Sequence, residues 1–67
     1  MNSRIKAERA MARVSQRELA MILDVAPLTV SKWEADIDKC PVGKLKAMAQ
    51  YFNCSCDYLM GISETRR

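Results

Sequence analysis

The sequence predicts an all-α fold of five short helices gathered into one small domain. Apolar residues recur at three- and four-residue spacing rather than in strict alternation. Glycine and proline number only two each, and 49% of the residues are apolar, so the chain has the material for a helical core. A third sign is a marked helix start at Ser15. With 67 residues the chain reads as a single domain, 1–67. A domain of this size buries only roughly 60% of its unfolded surface, so every helix must feed one shared core.

The first helix is expected near residues 3–12, where Ile5, Arg9 and Ala12 fall on one face. The second runs from about 16 to 23 on the stripe Leu19, Ala20 and Leu23. Ser15-Gln16-Arg17-Glu18 forms a capping box at its start. The Ser15 hydroxyl can accept from the Glu18 amide while the Glu18 carboxylate reaches back to the Ser15 amide. Val14, just before the cap, can staple against Leu19. The third helix, 27–34, has Ala26 at the N-cap place and no side-chain cap. Pro27 suits its first position, because its φ is already helical and its missing N–H would be unpaired there anyway. Val30 and Trp33, three apart, mark the buried face. Asp24 and Asp36 stand where left-handed turns are expected, and Pro41 ends any continuation. Leu45, Met48, Ala49 and Phe52 stripe a fourth helix. Tyr58 and Leu59 anchor a short fifth before Gly61, a natural stop. Residues 62–67 read as a short polar tail.

Charge and cysteine usage narrow the function classes. The net charge is +3, unevenly spread. Residues 1–17 carry five bases and one acid, residues 18–40 five acids and two bases, and residues 41–67 four bases and two acids. A basic first helix suits a polyanion, though a solvated helix face would look the same. Cys40, Cys54 and Cys56 are an odd number of thiols, which fits a reducing compartment. They could offer three soft ligands, but the chain has no His and a structural zinc site usually takes four. Small thiols filling core positions explain them as well, so neither metal nor cofactor is expected. The methionines at 11, 21, 48 and 60 likewise read as core fill or surface patches. No apolar run approaches the ~20 residues that cross a membrane. The opening M-N-S-R-I-K-A-E-R has no apolar stretch behind its bases and is not a secretory signal. A cytoplasmic location is expected.

Helix two, a three-residue turn and helix three together span Gln16 to Ala35. The motifs S-Q-R-E-L-A, T-V-S-K-W-E and D-Y-L-M-G, at their spacing, resemble the lambda-repressor-like (Cro/repressor, or Xre) helix-turn-helix family. The segment from Pro41 to Gly61 is similar to that family's fourth and fifth helices, so the resemblance covers about residues 4–61. It implies a compact five-helix bundle whose third helix enters the major groove. The N-terminal residues of that helix then meet base edges, while the preceding helix crosses the backbone. It also implies that Gln16 bonds a phosphate or braces a recognition-helix side chain, with Arg17 beside it as a second phosphate contact. Arg9 and Glu34 fall where the family pairs an arginine of helix one with the glutamate ending helix three. That pair would fix the recognition helix's angle. Trp33 reads as core rather than as a base-stacking residue, since a small domain needs its largest side chain inside.

With Val30 and Trp33 turned inward, Pro27, Leu28, Ser31 and Lys32 face out, with Thr29 at the edge; the resemblance makes these the base-contacting set. Lys32 can donate to guanine O6 and N7, Leu28 can pack on a thymine methyl, and the hydroxyls can bond bases or phosphates. Bidentate Gln, Asn and Arg are absent from the helix, so direct readout is expected to be thin, with DNA shape carrying the remainder. Ala35-Asp36 stands where the family often has a polar residue and Gly, and Asp36 and Asp38 bring negative charge near the phosphate approach. Lys39 alone offsets them. Modest monomer affinity, strong salt dependence and a homodimer on a two-fold symmetric operator follow as expectations.

The leading expectation is thus a sequence-specific transcriptional regulator, repressor-like, of phage, mobile-element or stress-response type. The chain ends just after the fifth helix, so regulation is expected from concentration, dimerisation or a partner protein. The competing expectation is a protein-interaction module on the same fold, antitoxin-like or anti-repressor. Pro27, Leu28 and Ile37 would form its apolar patch, and Asp36 and Asp38 would suit a basic partner. Tyr51–Cys56, Tyr58 and Met60 could line an interface, or simply pack in the core. An enzyme is the least favoured class. There is no His and no Gly-rich phosphate loop, and no base stands ready to activate a thiol.

Overall fold

Where each helix stops decides how the chain folds back on itself. Arg13, Asp24 and Asn53 all adopt left-handed backbone, at φ 58°, 59° and 59°, and Gly61 does so at 83°. At each of these four ends the next residue's amide reaches back five positions. Val14 donates to the Arg9 carbonyl, Val25 to Ala20, Cys54 to Ala49 and Ile62 to Asp57, all at 2.9 Å. This closure satisfies helix carbonyls that would otherwise be orphaned and turns the chain sharply. The helices so bounded, in a computed structural model that describes residues 3–67, are α1 (Ile5–Ala12), α2 (Gln16–Leu23), α3 (Pro27–Ala35), α4 (Val42–Phe52) and α5 (Cys56–Met60). A 3-10 turn, Ile37–Lys39, separates α3 from α4, and no strand occurs among the described residues. Met1 and Asn2, included in the single-domain reading, lie outside the described residues.

Every helix feeds the core, α1 with Ile5 alone of its apolar residues. Leu19, Ala20 and Leu23 come from α2, Val30 and Trp33 from α3, Leu45, Met48, Ala49 and Phe52 from α4, and Leu59 from α5. Val14, Ile37 and Cys40 close the gaps between them. The capping box forms as its residues require: Glu18 N–H donates to Ser15 Oγ at 3.0 Å, and Ser15 N–H donates to Glu18 Oε1 at 3.1 Å. Ala26 makes no side-chain cap, and Pro27 occupies the first position of α3. The Lys44 ammonium donates to the Leu23 carbonyl at 2.5 Å, tying α4 to the C-terminal end of α2.

Four expectations need correcting. The first helix begins at Ile5 rather than near residue 3, because Arg4 serves as its N-cap and accepts the Glu8 amide at 3.0 Å. Its inward face is Ile5 and Glu8, while Ala12 is exposed. Asp36 is extended, at φ −150°, and not left-handed; its Oδ1 accepts from the Asp38 amide at 3.2 Å and opens the 3-10 turn. That turn swings Ile37 into the core, where it is 2% exposed. Ile37 therefore cannot join Pro27 and Leu28 in a surface patch.

Residues 62–67 fold back onto α1 and the end of α4. Arg66 donates from Nε and Nη2 to the two Glu8 carboxylate oxygens at 3.1 and 2.6 Å. It also donates to the Phe52 carbonyl at 2.6 Å and the Asn53 carbonyl at 3.3 Å, at the end of α4. The Arg66 carbonyl accepts from the Ser55 amide at 2.8 Å.

Candidate nucleic-acid interface

The helix-turn-helix is α2, the turn Asp24-Val25-Ala26, and α3. Its inner faces meet through the α2 and α3 core stripes, which leaves the front of α3 to solvent. Leu28 is 65% exposed, Pro27 and Lys32 are exposed, and Thr29 and Ser31 are half-buried. Leu28 and Lys32 lie four residues apart on one helical face, with Ser31 flanking them and Thr29 at the margin. An aliphatic group, two hydroxyls and an ammonium thus share one convex strip. Trp33, 5% exposed, lies in the core and is withdrawn from any base.

Behind this strip, Glu34 gathers three elements. Arg9 of α1 approaches with Nε 2.6 Å from Glu34 Oε2 and Nη2 3.3 Å from Oε1. The remaining Arg9 nitrogen donates to the Val14 carbonyl at 3.2 Å. Gln16 of α2 donates its side-chain amide to Glu34 Oε1 at 2.8 Å. Ser3 Oγ donates to the Glu34 main-chain carbonyl at 3.4 Å. Both charged side chains are nearly enclosed, at 14% and 11% exposure, so these charge-assisted bonds are shielded from water and strongly orienting. Of the two roles open to Gln16, one N–H is committed to bracing α3. Its second N–H and its carbonyl oxygen remain for a phosphate or a neighbouring side chain.

The residues expected to meet phosphate are placed separately. Arg17 is exposed in the first turn of α2. Ser15 caps only Glu18 there, so the first-turn amides of Gln16 and Arg17 point out of the helix end. Lys39 is exposed at the end of the 3-10 turn, with Asp36 and Asp38 exposed beside it. Its acidic surroundings persist in three dimensions. Arg13, not among the expected contacts, is exposed at the left-handed end of α1 two residues before the α2 cap. The only signal for it was a base set among bases. Tyr51 is 45% exposed, Tyr58 is half-buried beneath Arg4 with the guanidinium 4.3 Å above its ring, and Cys54, Cys56 and Met60 are half-buried.

No group of three or more metal-ligating side chains converges among the described residues. The three thiols are unpaired. Burial pushes the Cys40 thiol up to about 11, and burial followed by the nearby Glu8 carboxylate raises Cys54, so neither forms a nucleophilic thiolate readily at neutral pH.

A family model described as helix-turn-helix matches residues 5–59. The chain therefore belongs to the Cro/repressor-type, Xre-like helix-turn-helix family, a DNA-binding family with the all-helical lambda-repressor-like fold. Comparisons with curated proteins and with solved structures returned no match. No described helix is long and apolar enough to cross a membrane.

Proposed function

We propose that this chain is a sequence-specific transcriptional regulator that lays α3 in the major groove of double-stranded DNA and works as a homodimer on a two-fold symmetric operator. The observation that carries this reading is the outward strip of exposed Pro27, Leu28 and Lys32 with half-buried Thr29 and Ser31, on a helix held from behind by Arg9 and Gln16 through Glu34. A groove-reading helix needs both a free front and a rigid back. In this reading Lys32 donates to a guanine edge or a phosphate and Leu28 packs on a thymine methyl. Gln16, Arg17 and Lys39 hold the backbone. The role is binding and not catalysis, in the cytoplasm where the DNA is. Burial of Ile37 removes part of the apolar patch on which a protein-interaction role would rest.

Selection of bound duplexes from a random pool tests this directly. A recovered consensus with two-fold symmetry is expected, its half-sites one helical turn or a multiple apart. Lys32→Ala should relax preference at one or two positions, each worth about 1–3 kcal/mol, while Gln16→Ala should weaken all duplexes alike. No enrichment, or indifference to both substitutions, would sink the groove reading.

A further inference from the structure

The strap of residues 62–67 has no part in the groove reading above, and α1, which it grips, enters that reading only through Arg9. Two features of α1 make the grip consequential. First, α1 buries a single large apolar side chain, Ile5, against two from α2 and three from α4. Its N-cap residue, Arg4, makes no side-chain hydrogen bond to the helix's own first-turn amides. A helix of eight residues with so little buried apolar surface is marginal, so its place is set mainly by polar ties.

Second, those ties point in two directions. Ser3 and Arg9 bond to Glu34 at the end of α3. Arg4 donates to the carbonyls of Tyr58, at 2.9 Å, and Ser63, while Glu8 receives Arg66. Helix α1 thus stands as a spacer between the strap and the recognition helix, with Glu8 and Arg9 adjacent in sequence and bonded to opposite sides.

The Glu8 end is a built receptor for a guanidinium. The carboxylate is 1% exposed, and Arg66 fills it with a two-pronged contact. The carbonyls of Phe52 and Asn53 complete the ring of acceptors at the negative end of α4. Four N–H···O bonds from the three nitrogens of one guanidinium fit a fork of donors and not a point charge, so lysine could not replace them all. Without its guanidinium, this carboxylate would be a buried charge with no partner.

We infer that Arg66 is a positioning residue for DNA binding: seated on Glu8, it holds α1 in place and so keeps Arg9 on Glu34 behind the recognition helix. The effect on DNA rests on the groove reading; the effect on α1 does not. Arg66→Ala in the full chain is the first test. The melting temperature should fall by roughly 10 °C or more. In the cold, where circular dichroism shows the variant folded, amide exchange should rise at least about tenfold across residues 8–14 and much less in α4. The emission of Trp33, the chain's single tryptophan, reports the α3 environment without DNA and should shift. Affinity for the selected duplex should drop about tenfold at the same temperature. Methylguanidinium in the millimolar range should restore exchange protection saturably in Arg66→Ala, and fail to do so in the double variant Glu8→Gln with Arg66→Ala. If Arg66→Ala does not fold, Arg66→Lys serves. It keeps the charge but loses the forked contacts, and methylguanidinium cannot enter while lysine occupies the site, so partial α1 protection is expected.

Unchanged exchange in α1, or rescue that ignores Glu8, overturns the inference. So does loosened α1 with Trp33 emission and DNA affinity both intact, since the coupling to α3 would then be absent. A wild-type chain that binds no duplex defeats the groove reading alone. The exchange and Trp33 measurements still decide whether Arg66 positions the helix.

Discussion

Glu34 accepts from Arg9 and Gln16 at once, and among the described residues no other carboxylate ties together three helices. Its neighbours on α3 divide cleanly: Val30 and Trp33 face the core while Leu28 and Lys32 face solvent. Because the Arg9–Glu34 pair is largely enclosed, removing one partner strands the other charge. Glu34→Ala should therefore destabilise the domain by about 3 kcal/mol, the lower end of the range for buried pairs. Glu34→Gln, which can still accept from Gln16, should cost less. Urea denaturation of the two variants measures this, and equal losses would mean that charge is not what orients α3. The residue types at these places were legible in the sequence because the family motif places them. Glu8 was not legible. An acid at an inward helical position announces a need for a partner, but Arg66, 58 residues away, carries no mark of being that partner.

At the scale of the helix, start signals proved easier to read than stop signals. Ser15 and Glu18 form their reciprocal cap because four consecutive residues contain everything the motif needs. Ser15→Ala should cost about 1 kcal/mol of stability, checked by thermal or urea unfolding. An undiminished midpoint would show that the tertiary contacts of α2, and not its cap, hold that end. The left-handed stop at Asp24 was also expected, yet Asp36 in a similar setting is extended. The difference lies downstream: after α3 the chain must deliver Ile37 to the core, and a 3-10 turn capped by Asp36 does so. A local propensity for left-handed backbone yields to the burial of one isoleucine, worth roughly 1.5–3 kcal/mol.

For the whole molecule, one shared core makes stability sensitive to any buried group that can ionise. The Cys40 thiol ordinarily titrates near 9.0 and is pushed up to about 11 by burial. The unfolded chain then loses this proton at a lower pH than the native protein does. Between these values the unfolded state binds fewer protons, so unfolding becomes easier as pH rises. Stability should be intact below about pH 9 and decline toward pH 11, by on the order of 2–3 kcal/mol. Melting curves at neutral and alkaline pH should show a smaller alkaline loss for Cys40→Ala than for the parent chain. An equal loss in both would place the alkaline weakness elsewhere.

Helix count, the order of the helices, the capping box and the core stripes of α2, α3 and α4 were settled by sequence alone. Each rests on residues within one or two turns of each other, where periodicity and capping chemistry act directly. The family motif is similarly local, and from it came the helix-turn-helix and the strip of α3 that faces outward. Tertiary structure alone decided the remainder. It set Gln16 to brace Glu34, sank Ile37 beneath the surface, buried Glu8, and recruited residues 62–67 to hold α1. These outcomes depend on which distant groups meet once the core has closed. A buried polar group must find whatever partner the fold brings within reach, and no spacing along the chain encodes that meeting.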